Sequence, residues 1–123
     1  MVNPKKKILI IEDEKPLAHA LELKLTKYGF DVHCAANGED AVGDLERGGF
    51  ALIVCDLVMP KMDGFQVLSV IKEKKIQTPI IVLTNLSQPQ DEQRARELGA
   101  NGFFVKADTP IVTIVETIKK MVG

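Results

Sequence analysis

Apolar residues along this chain follow two alternating rhythms. Lys7-Ile8-Leu9-Ile10-Ile11, Phe50-Ala51-Leu52-Ile53-Val54-Cys55 and Ile80-Ile81-Val82-Leu83-Thr84 are short, nearly unbroken apolar runs, as expected of strands buried on both faces. Asp31 to Ala36 and Gly102 to Lys106 read as two further strands. Between them the spacing lengthens to that of a helix. Leu17, Leu21, Leu25 and Tyr28 share one face of a helix predicted over Pro16 to Tyr28, which Gly29 ends. Asn37 is placed to cap a second helix running through Leu45, and Gly48-Gly49 separates it from the third strand. Phe65 to Lys74 forms the third helix, and Pro89 to Leu98, stopped by Gly99, forms a polar fourth. Thr109 is expected to cap, and Pro110 to start, a fifth helix with Ile111, Ile114, Val115, Ile118 and Val122 on its inner side.

Five strands alternating with five helices predict an α/β fold: a doubly wound parallel sheet with right-handed crossovers and helices on both faces. In such a sheet, ligands bind beyond the carboxyl ends of the strands. The rule gathers Glu12 and Asp13 after the first strand, Asp56 after the third, Thr84 after the fourth and Lys106 after the fifth. Asp56 opens the segment "DLVMPKMDG", an acid followed by a loop with a proline in it and a glycine at its end.

Length and composition narrow the class. The 123 residues suit one domain, taken here as residues 1–123, without need of disulfide or metal staples. A net charge of −1 and 46% hydrophobic residues argue against a nucleic-acid or membrane-surface binder, and the apolar stretches are too short for a membrane span or a signal peptide, which places the chain in the cytoplasm. Lys5-Lys6-Lys7 reads as a solvated entry to the first strand. Cys34 and Cys55 have no CxxC spacing and read as small buried hydrophobes. His19 and His33 have no partner spacing and are assigned neither to metal nor to phosphotransfer.

Three carboxylates on one rim repel one another, and a divalent cation relieves that. An all-oxygen donor set suits Mg²⁺. A carboxylate is also a competent nucleophile toward phosphorus once the incoming charge is neutralised, a task for Mg²⁺ and Lys106 together, with the Thr84 hydroxyl able to donate a hydrogen bond to a phosphoryl oxygen.

With "IIEDE", "CDLVMPKMDG", "IIVLT" and "GFFVKA" in this order at strand ends, the whole chain resembles the receiver domain of two-component response regulators, the CheY-like group. The resemblance implies a flavodoxin-like strand order of 2-1-3-4-5. It implies Asp56 as phosphoacceptor, a Mg²⁺ ion held by Glu12, Asp13, Asp56 and the Val58 carbonyl, and Thr84 and Lys106 as binders of the phosphoryl group. Thr84 and Phe103 become the switch pair that alters the face made by the fourth helix, fifth strand and fifth helix, a face also available for homodimers. The implied partners are a sensor histidine kinase or phosphotransfer protein and a downstream target or output domain. Such a domain is a switch rather than an enzyme, catalysing only its own phosphorylation and dephosphorylation.

Three positions depart from the usual family pattern. Glu12 stands where a shorter Asp is usual and is expected to reach the metal through water. Asn85, after Thr84, narrows access to Asp56. Ala107 follows Lys106 where proline is usual. The resemblance implies that Val58 and Leu86 flank the approach of a hydrolytic water, and as apolar side chains they cannot orient it, which predicts a long-lived phosphoryl group. Glu14 is expected to favour the first helix through its dipole. A dehalogenase-type hydrolase would want an Asp at position 58, and a flavodoxin-like cofactor binder would not place Glu12-Asp13-Glu14 where a phosphate must sit. A phosphorylation-independent pseudo-receiver, acting only as an interaction module, should have lost an acid or the lysine, and neither is missing.

Overall fold

The computed structural model describes residues 5–123, so residues 1–4 of the predicted domain lie outside it. Five strands, β1 (Lys7–Ile11), β2 (Asp31–Ala35), β3 (Phe50–Cys55), β4 (Ile80–Thr84) and β5 (Gly102–Val105), form one sheet in the order β2-β1-β3-β4-β5, with every pairing parallel. The connections are α1 (Lys15–Lys27), α2 (Gly38–Arg47), α3 (Gly64–Glu73) and α4 (Pro89–Glu97), and α5 (Ile111–Val122) closes the chain. The predicted strand order and helix count are both present. No helix among the described residues is long and apolar enough to cross a membrane.

The period of two along each strand divides the core. Ile8, Ile10, Leu52, Val54, Ile81 and Leu83 face α1 and α5, where they meet Ala18, Leu21, Leu25, Ile114, Val115 and Ile118. Leu9, Ile11, Ile53, Cys55, Ile80 and Val82 face the other way, onto Ala41, Leu45, Phe65, Leu68, Ile71 and Ala95 of α2, α3 and α4. Burying a Leu or Ile side chain stabilises by about 1.5–3 kcal/mol, so two such layers suffice for a chain of this size.

Local chemistry sets the helix ends. Asn37 caps α2 as expected, its Oδ1 accepting from the Asp40 amide at 2.9 Å. Asp63 and Gln66 close a reciprocal capping box at the start of α3, each side chain bonded to the other's backbone amide at 2.9 Å. At the opposite pole, lysines serve carbonyls across element boundaries: Lys6 donates to Val122 O, Lys7 to Gly48 O at 3.4 Å and Lys72 to Glu97 O at 3.0 Å. Each places a cation at the carbonyl end of a helix to which it does not belong, where the dipole favours it.

Four expectations need correction. Thr109 does not cap α5; its hydroxyl donates to Val105 O at 2.9 Å, Pro110 occupies the N-cap position and the helix begins at Ile111. Tyr28 lies beyond the end of α1 and is 52% exposed, its ring under the Lys119 ammonium at 4.0 Å. Cys34 is exposed, because β2 is an edge strand in which only Ala35 is fully buried. Lys106 does not end β5 but starts a short 3₁₀ turn through Asp108.

Candidate functional site

The carboxyl ends of β1, β3 and β5 deliver the site. Past the last paired residues the backbone stays in register: the Glu12 amide donates to Ala35 O and the Asp56 amide to Ile11 O, both at 2.9 Å. Two acids are therefore fixed side by side by main-chain bonds before any side-chain contact forms. Glu12 and Asp56 are buried, and with Asp13 they bring carboxylate oxygens within 4.8 Å of one another.

Lys106 crosses from the end of β5 to meet them. Its ammonium lies 2.9 Å from Glu12 Oε1 and 2.9 Å from Asp56 Oδ2, and its side chain is only 9% exposed. Among the described residues Asp13 has no cationic partner. Burial pushes the Glu12 carboxyl up, to about 7; hydrogen bonds from Lys106 and the Glu14 amide oppose this, and the charge of Asp56 adds to it. For Lys106, burial acts to lower the ammonium, but its hydrogen bonds to Asp56 and Glu12 outweigh that and hold it above the ordinary lysine range.

Two anionic groups, one cation and a third carboxylate leave negative charge in excess. Every donor of the cluster is a hard oxygen, and sulfur and imidazole ligands are absent from it. That composition fits Mg²⁺, which takes one or two carboxylates and fills its remaining positions with water and phosphate oxygens.

The loop after Asp56 depends on glycines at two close approaches. A Cβ on Gly64 would collide with the Asp56 carbonyl oxygen and stand 2.6 Å from Leu57 Cα. One on Gly38, at the start of α2, would stand 2.6 Å from Met62 Cβ. The Gly64 amide donates to Leu57 O at 3.0 Å and the Met62 amide to Pro60 O at 2.8 Å, a tight turn that sets Lys61 at φ +68. The segment from Asp56 to Gly64 is thus clamped between the first turns of α2 and α3. The Val58 amide donates to Asp56 Oδ1 at 3.3 Å.

A cleft of about 180 Å³ opens onto Asp56, lined by Asp13, Glu14, Asp56, Val58, Asn85 and Lys106. Val58 and Asn85 therefore stand where site access was expected. Leu86 does not line this cleft; it packs half-buried against the α2–α4 side of the core, and its amide reaches Thr84 Oγ1 at 3.4 Å. Thr84 is fully buried at the end of β4 and pairs with Val105. Phe103 pairs with Val82 and packs on the same core layer, while Phe104 packs on the opposite one.

Glu14 was missed as a site residue. It holds the N-cap position of α1 without a side-chain capping bond, and its Oε2 instead lies 3.4 Å from the Lys106 ammonium. A third acid directly after an acidic pair was the available sequence signal.

The chain matches the family model described as "Response regulator receiver domain" over residues 8–119. It is 42% identical over 106 residues to the probable transcriptional regulator ycf27 of Porphyridium aerugineum, an alignment covering 86% of this chain and 44% of that protein. It is 35% identical over 105 residues to the alkaline phosphatase synthesis transcriptional regulatory protein PhoP of Bacillus subtilis, covering 85% of this chain and 44% of that one. The chain thus spans less than half the length of these relatives. Among solved structures it superposes on the chemotaxis protein CheY4 of Vibrio cholerae with a TM-score of 0.87 at 27% identity, covering 96% of this chain and 99% of that one. The chain belongs to the response regulator receiver domain family, whose members are signalling switches of two-component systems.

Proposed function

We propose that this chain is switched by transfer of a phosphoryl group to Asp56. The observation that carries the reading is the Lys106 ammonium, partly buried and held 2.9 Å from both Glu12 and Asp56. An acid cluster of two buried carboxylates and a more exposed third, with one fixed cation, is poised for an incoming group that brings its own negative charge. An Asp56 carboxylate oxygen attacks phosphorus, a new O–P bond forms, and the donor's bond to phosphorus breaks with its electron pair leaving on the donor. Glu12, Asp13, Asp56 and the Val58 carbonyl would hold Mg²⁺, which when bound supplies charge neutralisation to the phosphoryl oxygens. Lys106 moves its hydrogen bonds onto the new phosphoryl oxygens, and the Thr84 hydroxyl donates another.

The placement of Phe103 on the core layer that also receives α4 supports the switch reading: a change at Thr84 and Phe103 reaches the surface formed by α4, β5 and α5. α4 buries only Ala95 completely, which suits a helix that shifts. That surface is the proposed contact for an output domain, a downstream protein or a second copy, and a histidine kinase or phosphotransfer protein is the proposed donor.

Mass spectrometry after incubation with acetyl phosphate and Mg²⁺, and binding of beryllofluoride, test the assignment. Labelling is expected in the wild type and lost in Asp56→Ala and in EDTA. Undiminished labelling of Asp56→Ala would overturn the reading.

A further inference from the structure

We propose that Glu14 selects phosphoryl donors by their charge, holding back free dianionic donors from Asp56. The proposal rests on Asp56 being the phosphoacceptor and concerns which donors reach it. Glu14 lines both the 180 Å³ cleft over Asp56 and a larger groove of about 590 Å³ that runs between the start of α1 and the segment from Lys106 to Ile111. Lys106 and Asn85 are the other residues common to both, so the three form the junction between groove and site.

At this junction the charges are unequal in placement. Lys106 is 9% exposed and already engaged with Glu12 and Asp56 on its inner side. Glu14 sits outside it, 52% exposed, with Oε2 3.4 Å from the ammonium. A donor entering from the groove, which Asp108 also lines, therefore meets carboxylates first and the cation second, and of the two acids only Glu14 also lines the cleft over Asp56. The outward field of Lys106, which would attract a phosphate, is offset by Glu14 where the donor arrives. Glu14 takes no part in the transfer and sets which donors arrive, so it is a specificity residue.

Repulsion by one fixed charge is linear in the donor's charge, so its effect on rate for a dianion is the square of that for a monoanion. Acetyl phosphate is a dianion at neutral pH, with acetate leaving as the O–P bond to Asp56 forms; phosphoramidate is a monoanion, with ammonia leaving.

The test is the initial rate of Asp56 phosphorylation at saturating Mg²⁺ with each donor, for wild type, Glu14→Gln and Glu14→Asp. Glu14→Gln should accelerate acetyl phosphate about fourfold and phosphoramidate about twofold, and the difference should shrink at 1 M salt, where screening acts over about 3 Å. Glu14→Asp, which keeps the charge and is a good N-cap, should match the wild type. Equal acceleration of both donors, or none, would overturn the charge selection while leaving Asp56 as acceptor. Failure of every protein to be labelled by either donor would overturn the phosphoacceptor reading itself.

Discussion

The Arg94 guanidinium lies 4.1 Å from the centre of the Phe65 ring. Phe65 is 8% exposed and directly follows Gly64, the residue pressed against the Asp56 carbonyl. Arg94 belongs to α4, whose only fully buried residue is Ala95, with Leu98 beyond its end partly buried. The stacking is therefore one of few anchors that α4 has, and it ties that helix to the α3 turn that supports Asp56.

An exposed cation–π contact contributes about 0.5–1 kcal/mol. Arg94→Ala is expected to speed amide hydrogen exchange across α4 by about two- to fivefold while leaving α1 unchanged. Beryllofluoride should alter protection in the same helix. Equal protection of α4 with and without beryllofluoride, and with change confined to α1, would place the responsive surface elsewhere.

Gly64 and Gly43 make a matched pair of substitutions. Gly43 lies inside α2 with open space around its Cβ direction, so Gly43→Ala should stabilise the protein by about 1 kcal/mol. At Gly64 the same methyl group must displace the backbone of Asp56 and Leu57. Gly64→Ala is expected to cost about 1–3 kcal/mol, the range of overpacked cores, and to slow phosphorylation of Asp56. Urea denaturation of both variants checks the signs; a Gly64→Ala protein as stable and as readily labelled as the wild type would show that the loop can give way freely.

Glu12 makes stability depend on pH. Its carboxyl is raised from an ordinary 4.5 to about 7, burial being the chief cause. An acid that holds its proton more tightly when folded stabilises the protein below its unfolded pKa, and that contribution is lost as pH rises through the folded value. For the metal-free protein the loss falls between about pH 4.5 and 7 and amounts to at most about 3 kcal/mol. Divalent cation competes with the proton, so Mg²⁺ should stabilise more at pH 8 than at pH 5.5. Denaturation across this range, compared with Glu12→Gln, isolates the group: the variant should lose the slope, and an unchanged slope would assign it to another residue.

Access of water to the acylphosphate proposed at Asp56 is the fourth prediction. Val58 is 56% exposed and lines the cleft over Asp56, whereas Leu86 is turned into the core. An apolar Val58 cannot orient an attacking water. Val58→Asn alone should therefore shorten the lifetime of the phosphorylated protein several-fold in Mg²⁺, with little added by Leu86→Lys. Identical decay of the wild type and Val58→Asn would remove Val58 from control of hydrolysis.

Sequence reading worked best where one short-range rule decided the outcome. β3 runs over the predicted Phe50–Cys55 because an apolar run this short, ended by a loop, is strand-sized, and its last four residues are buried between the two helix layers. Asn37 and Gly48 bound α2 as their side chains, or the lack of one, require. Reading was poorer where tertiary position outweighed pattern. Cys34 sits in a strand but at the sheet edge, and Tyr28 continues the α1 stripe but past the helix end. Thr109 found Val105 O before it could cap. At the site, Glu12, Asp13, Asp56 and Lys106 were legible from strand ends alone, and the structure brings them together. Glu14 beside Lys106 and the close approaches of Gly38 and Gly64 were not, because each depends on a partner distant in sequence or on the path of a loop.

The lysines that serve Val122, Gly48 and Glu97 share the pole of the molecule opposite Asp56. The last turns of α1 and α5 add Lys24, Lys27, Lys119 and Lys120 there, while Glu39, Asp40, Asp91 and Glu92 in the first turns of α2 and α4 join the acids around Asp56. A net charge of −1 therefore conceals a molecular compass needle. An approaching charged body exerts little pull on the domain as a whole but a torque on its axis, turning it before contact. Adding a dianionic phosphoryl group to one tip lengthens that needle, so the modified and unmodified proteins would present themselves differently to the same partner while still apart.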